Sequence, residues 1–379
     1  MTGPQFRGVL VTGGAGFIGS HVVDALLAQG ERVTILDNLS PKIHPQGRAP
    51  AYLSPEARLV VGDVTREADW LVALEGCDAV VHLAAYQDYN LDFSTFFTVN
   101  SVSTALLFEL VLARKLPMSR VVVASSQAVY GEGMYRCSTH GVVGAKARTR
   151  ERLDTSLWEC VCPVCGVEVT PEAAPESFAR PANQYGLSKL DQESIAIVLG
   201  RLHGIPSVAL RYSIVQGARQ SPHNVYSGAL RSFVVQAVGG HSPVVFEDGR
   251  QLRDYVNVAD AVDATMIALT HPGAVHEAFN VGGGRPITVL ELAAAVVEAV
   301  GARVSVDAPG LYRVGDTRHI VSDITRQQAL GWQPQRSLAA SVREYAEWFT
   351  RQALPVGAFE ATLRRMLETG VVRRASKTA

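Results

Sequence analysis

The strongest constraint on this chain is a ten-residue run near its start, Val11–Ser20, reading VTGGAGFIGS. Gly13, Gly16 and Gly19 recur at every third position. An apolar run, GVLV, leads in, and a run with apolar residues at Ile18, Val22 and Leu26 leads out to a stop at Gly30. The pattern reads as strand, tight turn, helix. Glycines let the backbone turn sharply and approach a pyrophosphate, and the helix N-terminus offers unpaired N–H groups and a favourable dipole. A glycine triplet alone also fits an ordinary strand–helix turn; the flanking strand and helix make it a dinucleotide-binding signature. The next apolar run, RVTILD, ends on Asp37. A carboxylate there suits a ribose 2′-hydroxyl and repels a 2′-phosphate, so NAD is expected rather than NADP. Asp63 in VGDV fits an adenine contact and a helix cap equally well.

More short β-branched runs follow (ARLVVGDV, AVVHLAA, RVVVASS), separated by helical patterns such as SVSTALLFELVLARK. That alternation predicts an α/β fold, a Rossmann-type doubly wound parallel sheet covered on both faces. Residues 132–176 break the rhythm with a polar, cysteine-bearing insert. The α/β pattern resumes at NQYGLSKLDQE and SVALRY, so the NAD-binding domain is expected over 1–212. A smaller substrate-binding α/β domain is expected over 213–350, with HEAFNVGG a strand that could return to the main sheet. Residues 351–379 read as a tail, a surface helix with a disordered end. Apolar residues make up 47% and charged residues 19%, enough for a sizeable core. The formal net charge of −1 offers no broad basic field, so neither nucleic acid nor an anionic membrane is an expected partner. No signal-peptide pattern opens the chain. The longest apolar stretch, near ELAAAVVEAV, is broken by Glu and too short for a membrane span. A cytoplasmic address is expected, where the five cysteines stay reduced.

Tyr185 and Lys189 in YGLSK stand four apart, on one face of a helix. A phenol with a pKa near ~10 can act as a base near neutral pH only beside positive charge. A lysine one turn away and a bound nicotinium would both supply it. SSQAVYG ends the preceding central strand, at the sheet edge where open α/β folds bind ligands.

The chain resembles the extended short-chain dehydrogenases/reductases, specifically the nucleotide-sugar epimerase/dehydratase group, over roughly residues 6–350. The motifs are TGGAGFIGSH, LDNLS, GDV, HLAA, VN, SSQAVYG, YGLSK, LRYS, RDYVNVAD, FNVGG and RVGDTRH. The resemblance implies Tyr185 as the base, Lys189 as the residue that holds the nicotinamide ribose and lowers the tyrosine pKa, and Ser126 as a hydrogen-bond partner of the reacting oxygen. It implies cofactor contacts from Gly13, Gly16, Phe17, Ile18, Gly19, Asp37, Asn38, Asp63, Val64, Leu83, Ala84, Ala85 and Asn100. It implies substrate contacts from Gln127, Arg253, Arg313 and Asp316, the arginines gripping a nucleotide diphosphate. Dehydratases of this group carry Asp-Glu after the catalytic Thr; here Gln127 and Ala128 stand there, which disfavours water elimination. The implied activity is epimerisation of a nucleoside-diphosphate sugar at C4, in a homodimer. A reductase or dehydrogenase of the same fold, and a non-catalytic dinucleotide-binding scaffold, are the alternatives. Two stretches depart from the group: RYSIVQG, with Ile214 and Gln216 where Asn and Tyr are expected, and AAYQDYNLDF after the fourth strand.

The insert holds CxxH (Cys137, His140) and CxxC (Cys162, Cys165). Two knuckles with two-residue gaps suit tetrahedral structural zinc. Some epimerase-like relatives carry a similar insert after VYGEG. Cys160 could replace His140 as fourth ligand, and unbound thiols are the bland alternative. Cys77, in LEGCDAVV, reads as a small packed residue.

Overall fold

The computed structural model describes residues 5–88, 91–222, 228–352, 363–364 and 366–376. Strands and helices alternate through the first third: β1 (Val9–Thr12), α1 (Phe17–Ala28), β2 (Val33–Asp37), β3 (Arg58–Val61), α2 (Glu67–Leu74) and β4 (Ala79–His82). A helix in three parts follows, α3 (Phe93–Phe96), a π-helical turn (Phe97–Val102) and α4 (Ser103–Ala113), before β5 (Arg120–Ser126). The insert contributes β6 (Met134–Cys137), β7 (Gly141–Gly144), α5 (Arg150–Asp154) and β8 (Thr170–Glu172). Then come α6 (Gln184–His203), β9 (Ser207–Tyr212), β10 (Ile214–Gln216), α7 (Gly228–Val238), β11 (Leu252–Asn257), α8 (Val258–Thr270) and β12 (Glu277–Val281). The chain continues through β13 (Pro286–Thr288), α9 (Val289–Val300), β14 (Leu311–Tyr312), α10 (Thr325–Gln328), α11 (Leu338–Thr350) and β15 (Arg373–Arg374).

Seven strands form the main sheet in the order β12-β9-β5-β4-β1-β2-β3, every pairing parallel. This is the expected doubly wound architecture. Parallel strands must be covered on both faces, which explains why Val9, Leu10 and Val11 all have no exposure. Leu10 and Val80 face one core, packed by Trp70, Leu107 and Phe108. Val9 and Val11 face the other, packed by Val22 and Leu26 of α1 and by Val258 and Ala261 of α8. The order reverses between β1 and β4, and a cleft opens beyond their C-terminal ends.

The second half is interleaved with the first rather than separate. β12 pairs with β9, as the sequence allowed, and α8 joins the core under α1. What remains, the sheet β10-β11-β13 with α7, α9 and α11, has its own core around Phe233, Leu292 and Tyr345. A Thr288–Glu291 capping box starts α9 and left-handed Gly301 ends it. The insert is a small antiparallel sheet, β7-β6-β8.

Two expectations need correcting. Phe93–Ala113 is one continuous 21-residue helix, by length and composition apolar enough to cross a membrane. The expected helical pattern, SVSTALLFELVLARK, begins only at Ser101. Here half of its most apolar stretch is buried, with Leu107 and Phe108 in the core beside the sheet. The tail, read as a surface helix with a disordered end, contains β15 paired antiparallel with β14, and Val372 and Ala375 are buried. Residues 353–362 and 377–379 lie outside the described residues.

Candidate active site and metal cluster

A cleft of about 1090 Å³ runs from the glycine turn, past Ser126 and Tyr185, to the loops around Arg253 and Arg313. The turn is built as its sequence demands. Gly13 has φ +67°, and a Cβ there would lie 2.9 Å from the Ala84 amide nitrogen. A Cβ on Gly19 would run into the Gly13 carbonyl. The turn and the first turn of α1 therefore pack tightly on the end of β4, with Gly13, Gly16, Phe17, Ile18 and Gly19 all on the cleft wall. The Asp37 carboxylate accepts from the Ala15 amide at 3.0 Å and the Leu39 amide at 2.9 Å, tying the end of β2 to the glycine turn while still lining the cleft.

Asn38, Val64, Leu83, Ala84 and Ala85 also line the cleft. Asp63 does too, and its carboxylate accepts from the Thr65 amide, the Thr65 hydroxyl and Asn38 Nδ2. Burial opposes its charge, but these bonds hold its pKa below the usual carboxylate value. Asp63 thus shapes the turn before α2 but does not cap that helix, whose N-cap is Arg66. Asn100 is not on the wall. It is fully buried, its amide bonded to the Tyr86 backbone and to Ser188 Oγ, so it braces the β4 loop against α6.

At the centre of the cleft, Ser126 ends β5 and α6 presents Tyr185 and Lys189. The Asn183 side chain accepts from the Gly186 amide at 2.8 Å and caps α6 just before Tyr185. Burial pushes the Tyr185 phenol up to about 12, and its hydrogen bond with Ser126 pulls the other way. Burial brings the Lys189 ammonium down to about 7. Its Nζ donates to the Ala124 carbonyl and to Gln192 Oε1, both at 2.8 Å, and lies 6.0 Å from the Tyr185 ring centroid. Among the described residues no cation offsets the burial of the phenol, so ionising Tyr185 calls for positive charge, which a nicotinium would bring.

At the far end, Arg313 Nε pairs with Asp316 Oδ2 at 2.9 Å, and its guanidinium lies 5.5 Å from the Phe246 ring centroid. Arg253 lines the cleft while donating to the carbonyls of Leu252, Thr317 and Arg318. Gln127 lines it beside Ser126. Of the two departures in RYSIVQG, Ile214 is on the wall, whereas Gln216 is buried off it, so the second departure concerns packing. Of AAYQDYNLDF, Ala85, Tyr86 and Gln87 line the cleft; Tyr89 and Asn90 lie outside the described residues. Sequence reasoning missed Lys42, His44, Arg231 and Phe246, all on the wall. Lys42 and His44 follow Asp37 closely enough to have been suspected; Arg231 and Phe246 carry no local signal.

In the insert, Cys137, His140, Cys162 and Cys165 bring four ligand atoms within 4.8 Å of one another. The Cys137 and Cys165 sulfurs are 3.7 Å apart, and His140 Nδ1 lies 3.6 Å from Cys137 Sγ and 3.5 Å from Cys162 Sγ. A tetrahedral shell with bonds of about 2.3 Å sets sulfurs about 3.8 Å apart, so the spacing fits zinc. Backbone N–H groups of Thr139 and His140 point at Cys137 and bring its thiol down to about 6, the form a metal binds. Cys160 is elsewhere: its buried thiol donates toward Glu132 and Tyr135 at 3.3 Å each, and burial pushes it up to about 12. His140, not Cys160, belongs to the cluster. Cys77 is buried in the main core.

The fold and the Ser126–Tyr185–Lys189 arrangement at its switch point define a nucleotide-binding α/β protein of the Rossmann class. Comparison with known proteins sharpens this. The model of the NAD dependent epimerase/dehydratase family matches residues 9–153 and 159–282, and the chain belongs to that family. It is 31% identical to a dTDP-L-rhamnose 4-epimerase of Burkholderia thailandensis, covering 91% of this chain and 95% of that one. It is 32% identical to a UDP-glucose 4-epimerase of Mycolicibacterium smegmatis, covering 91% and 99%. Among solved structures, a Thermotoga maritima UDP-glucose 4-epimerase with UDP-glucose superposes with a TM-score of 0.73 at 27% identity, over 92% of this chain and 100% of that one.

Proposed function

We propose that the protein is an NAD-dependent epimerase of a nucleoside-diphosphate sugar, acting at C4. The observation that carries this is one continuous cleft holding the glycine turn, the Ser126–Tyr185–Lys189 set and the arginines 253 and 313 in sequence. A dinucleotide fits one arm and a nucleoside diphosphate the other, with the sugar at Tyr185 between them. The Tyr185 phenolate takes the proton of the sugar hydroxyl, and Ser126 donates to the same oxygen. Lys189 supplies positive charge beneath the phenol. NAD, when bound, supplies the acceptor and then the donor of the C4 hydride. The keto-sugar turns over in the pocket, and Tyr185 returns the proton to the opposite epimer. Gln127 and Ala128 offer no carboxyl for eliminating water, so the product keeps its oxygen. The test is a panel of UDP- and dTDP-sugars with the wild type and Tyr185→Phe. Interconversion by the wild type alone supports the reading; no interconversion of any sugar refutes it, and net NADH release points to a dehydrogenase.

The metal cluster supports a second part of the reading, a structural zinc at Cys137, His140, Cys162 and Cys165. Four protein ligands close the shell, so this metal takes no substrate. One zinc per chain is expected, falling to near zero in Cys162→Ser with lower thermal stability. Exposed Leu112 on α4 and Leu187, Val198 and Leu202 on α6, with Val102 in the π-helical turn before α4, support a homodimer built on these helices. Sedimentation should give twice the chain mass.

A further inference from the structure

The segment Arg313–Asp323 carries Arg313 and Asp316 into the cleft, yet it belongs to no sheet of the substrate side. Its backing is shared: on one side the Ile320 amide donates to the Leu252 carbonyl of β11 and the Ser322 amide to Asp254, and on the other lies the insert. Arg148, nearly fully buried, forks onto the Glu247 carboxylate with two bonds of 2.8 Å. Its Nη2 also donates to the Asp316 carbonyl at 2.7 Å. Glu132 accepts from the Arg318 amide at 2.7 Å. The Arg318 guanidinium, fully buried, bonds Glu159 of the insert and Glu247 and Asp248 of the substrate side. Glu159 also pairs with His319 at 3.0 Å. The Leu252 amide donates to His319 Nδ1, which leaves Nε2 as the donor to Glu159. Further along, Ala174 exchanges backbone hydrogen bonds with Val321 and Asp323.

We propose that the insert is the support of the substrate-gripping segment, and that Arg148 is its positioning residue. Arg148 is itself off the cleft wall. It acts through the Asp316 backbone: Asp316 orients Arg313, while Arg253 ties the neighbouring Thr317 and Arg318 carbonyls. The inference rests on the reading above, in which Arg313 meets a nucleoside diphosphate. It explains why a cysteine-clipped module lies between Ser126 and Tyr185 without adding a group to the chemistry. The module sets where the diphosphate is held relative to Tyr185.

The experiment compares wild type, Arg148→Lys, Arg148→Met and Glu159→Gln, as full chains. Calorimetry gives Kd for UDP, dTDP and NAD, turnover gives kcat and KM, and hydrogen exchange reports on 316–323. Arg148→Met should bind the nucleoside diphosphate about tenfold more weakly and raise KM to match, the effect of about one misplaced charge-assisted bond. Its kcat and NAD affinity should hold within about twofold. Arg148→Lys keeps the charge but loses the fork and should fall between. Exchange should quicken across 316–323. Wild-type diphosphate affinity in a variant that still binds NAD overturns the proposal, as does a fall in kcat at constant KM. If neither UDP nor dTDP binds the wild type, the functional reading fails, and unchanged exchange in Arg148→Met then overturns the support role separately. Should Arg148→Met not fold, Arg148→Lys and Glu159→Gln carry the same readouts.

Discussion

Replacing Lys189 with methionine separates what the lysine does for chemistry from what its burial costs the fold. The side chain is 1% exposed, and burial takes its pKa from 10.5 to about 7. At roughly 1.4 kcal/mol per pH unit, that difference is about 5 kcal/mol against the charged form in the folded protein. Below about pH 7 both folded and unfolded chains carry the ammonium, and the whole penalty applies. Between about 7 and 10.5 the folded chain has released its proton while the unfolded chain keeps it, so the penalty fades as pH rises. Linkage between those values gives about 3 kcal/mol of relief from pH 6.5 to 9.5. Methionine cannot titrate and keeps most of the volume. It also abandons the bonds to the Ala124 carbonyl and Gln192, a loss nearly constant with pH.

The stability of Lys189→Met relative to wild type should therefore be most favourable at pH 6.5 and decline by about 3 kcal/mol by pH 9.5. Urea unfolding of the NAD-free proteins at the two pH values measures this, and groups that titrate identically in both cancel. The same variant should lose epimerase turnover. A stability difference independent of pH would refute the reasoning, because it would mean that the ammonium carries no burial penalty.

Ser126→Ala removes the bond that lowers the Tyr185 pKa, so the rising limb of the pH–rate profile should move to higher pH and kcat should fall roughly 10²-fold. Gly13→Ala forces a Cβ against the Ala84 amide at positive φ; it should cost about 1–3 kcal/mol in unfolding experiments and abolish thermal stabilisation by NAD. Glu193→Gln leaves buried Arg211 without its carboxylate, now bonded at 2.6 and 2.9 Å; a loss of about 3–5 kcal/mol is expected, read by urea unfolding, with kcat unchanged in the folded fraction.

How much of this was legible in the sequence follows from distance along the chain. Gly13, Gly16 and Gly19 sit inside a contiguous strand, turn and helix, so local pattern sufficed. Tyr185 and Lys189 are one helical turn apart, and the two-residue gaps of the metal knuckles are equally local. The choice between His140 and Cys160 was not local. It depends on Glu132 and Tyr135, which capture the Cys160 thiol from more than twenty residues away. Residue type gives no direction either: Asn100, expected at the cofactor, is a polar residue buried off the cleft wall.

The ionic support was least legible. The side chains of Arg318 and His319 find partners 67 to 160 residues distant, and RVGDTRH read as a substrate motif for Arg313 and Asp316 alone. Yet the same motif serves both purposes. Its Arg313 and Asp316 face the cleft, while its Arg318 and His319 face the insert. A seven-residue run can be pulled from both sides only if each side is fixed independently. On the cleft side Arg313 is held by the half-buried Asp316 and lies near Phe246. The insert side is fixed beforehand by buried charges that cannot be left unpaired without a cost of several kcal/mol. Pre-ordering the arginine in this way moves the entropy of holding it from the binding step to folding. On this reading the insert takes part in substrate recognition although Arg148, Glu159 and the cluster of Cys137, His140, Cys162 and Cys165 all lie off the cleft wall.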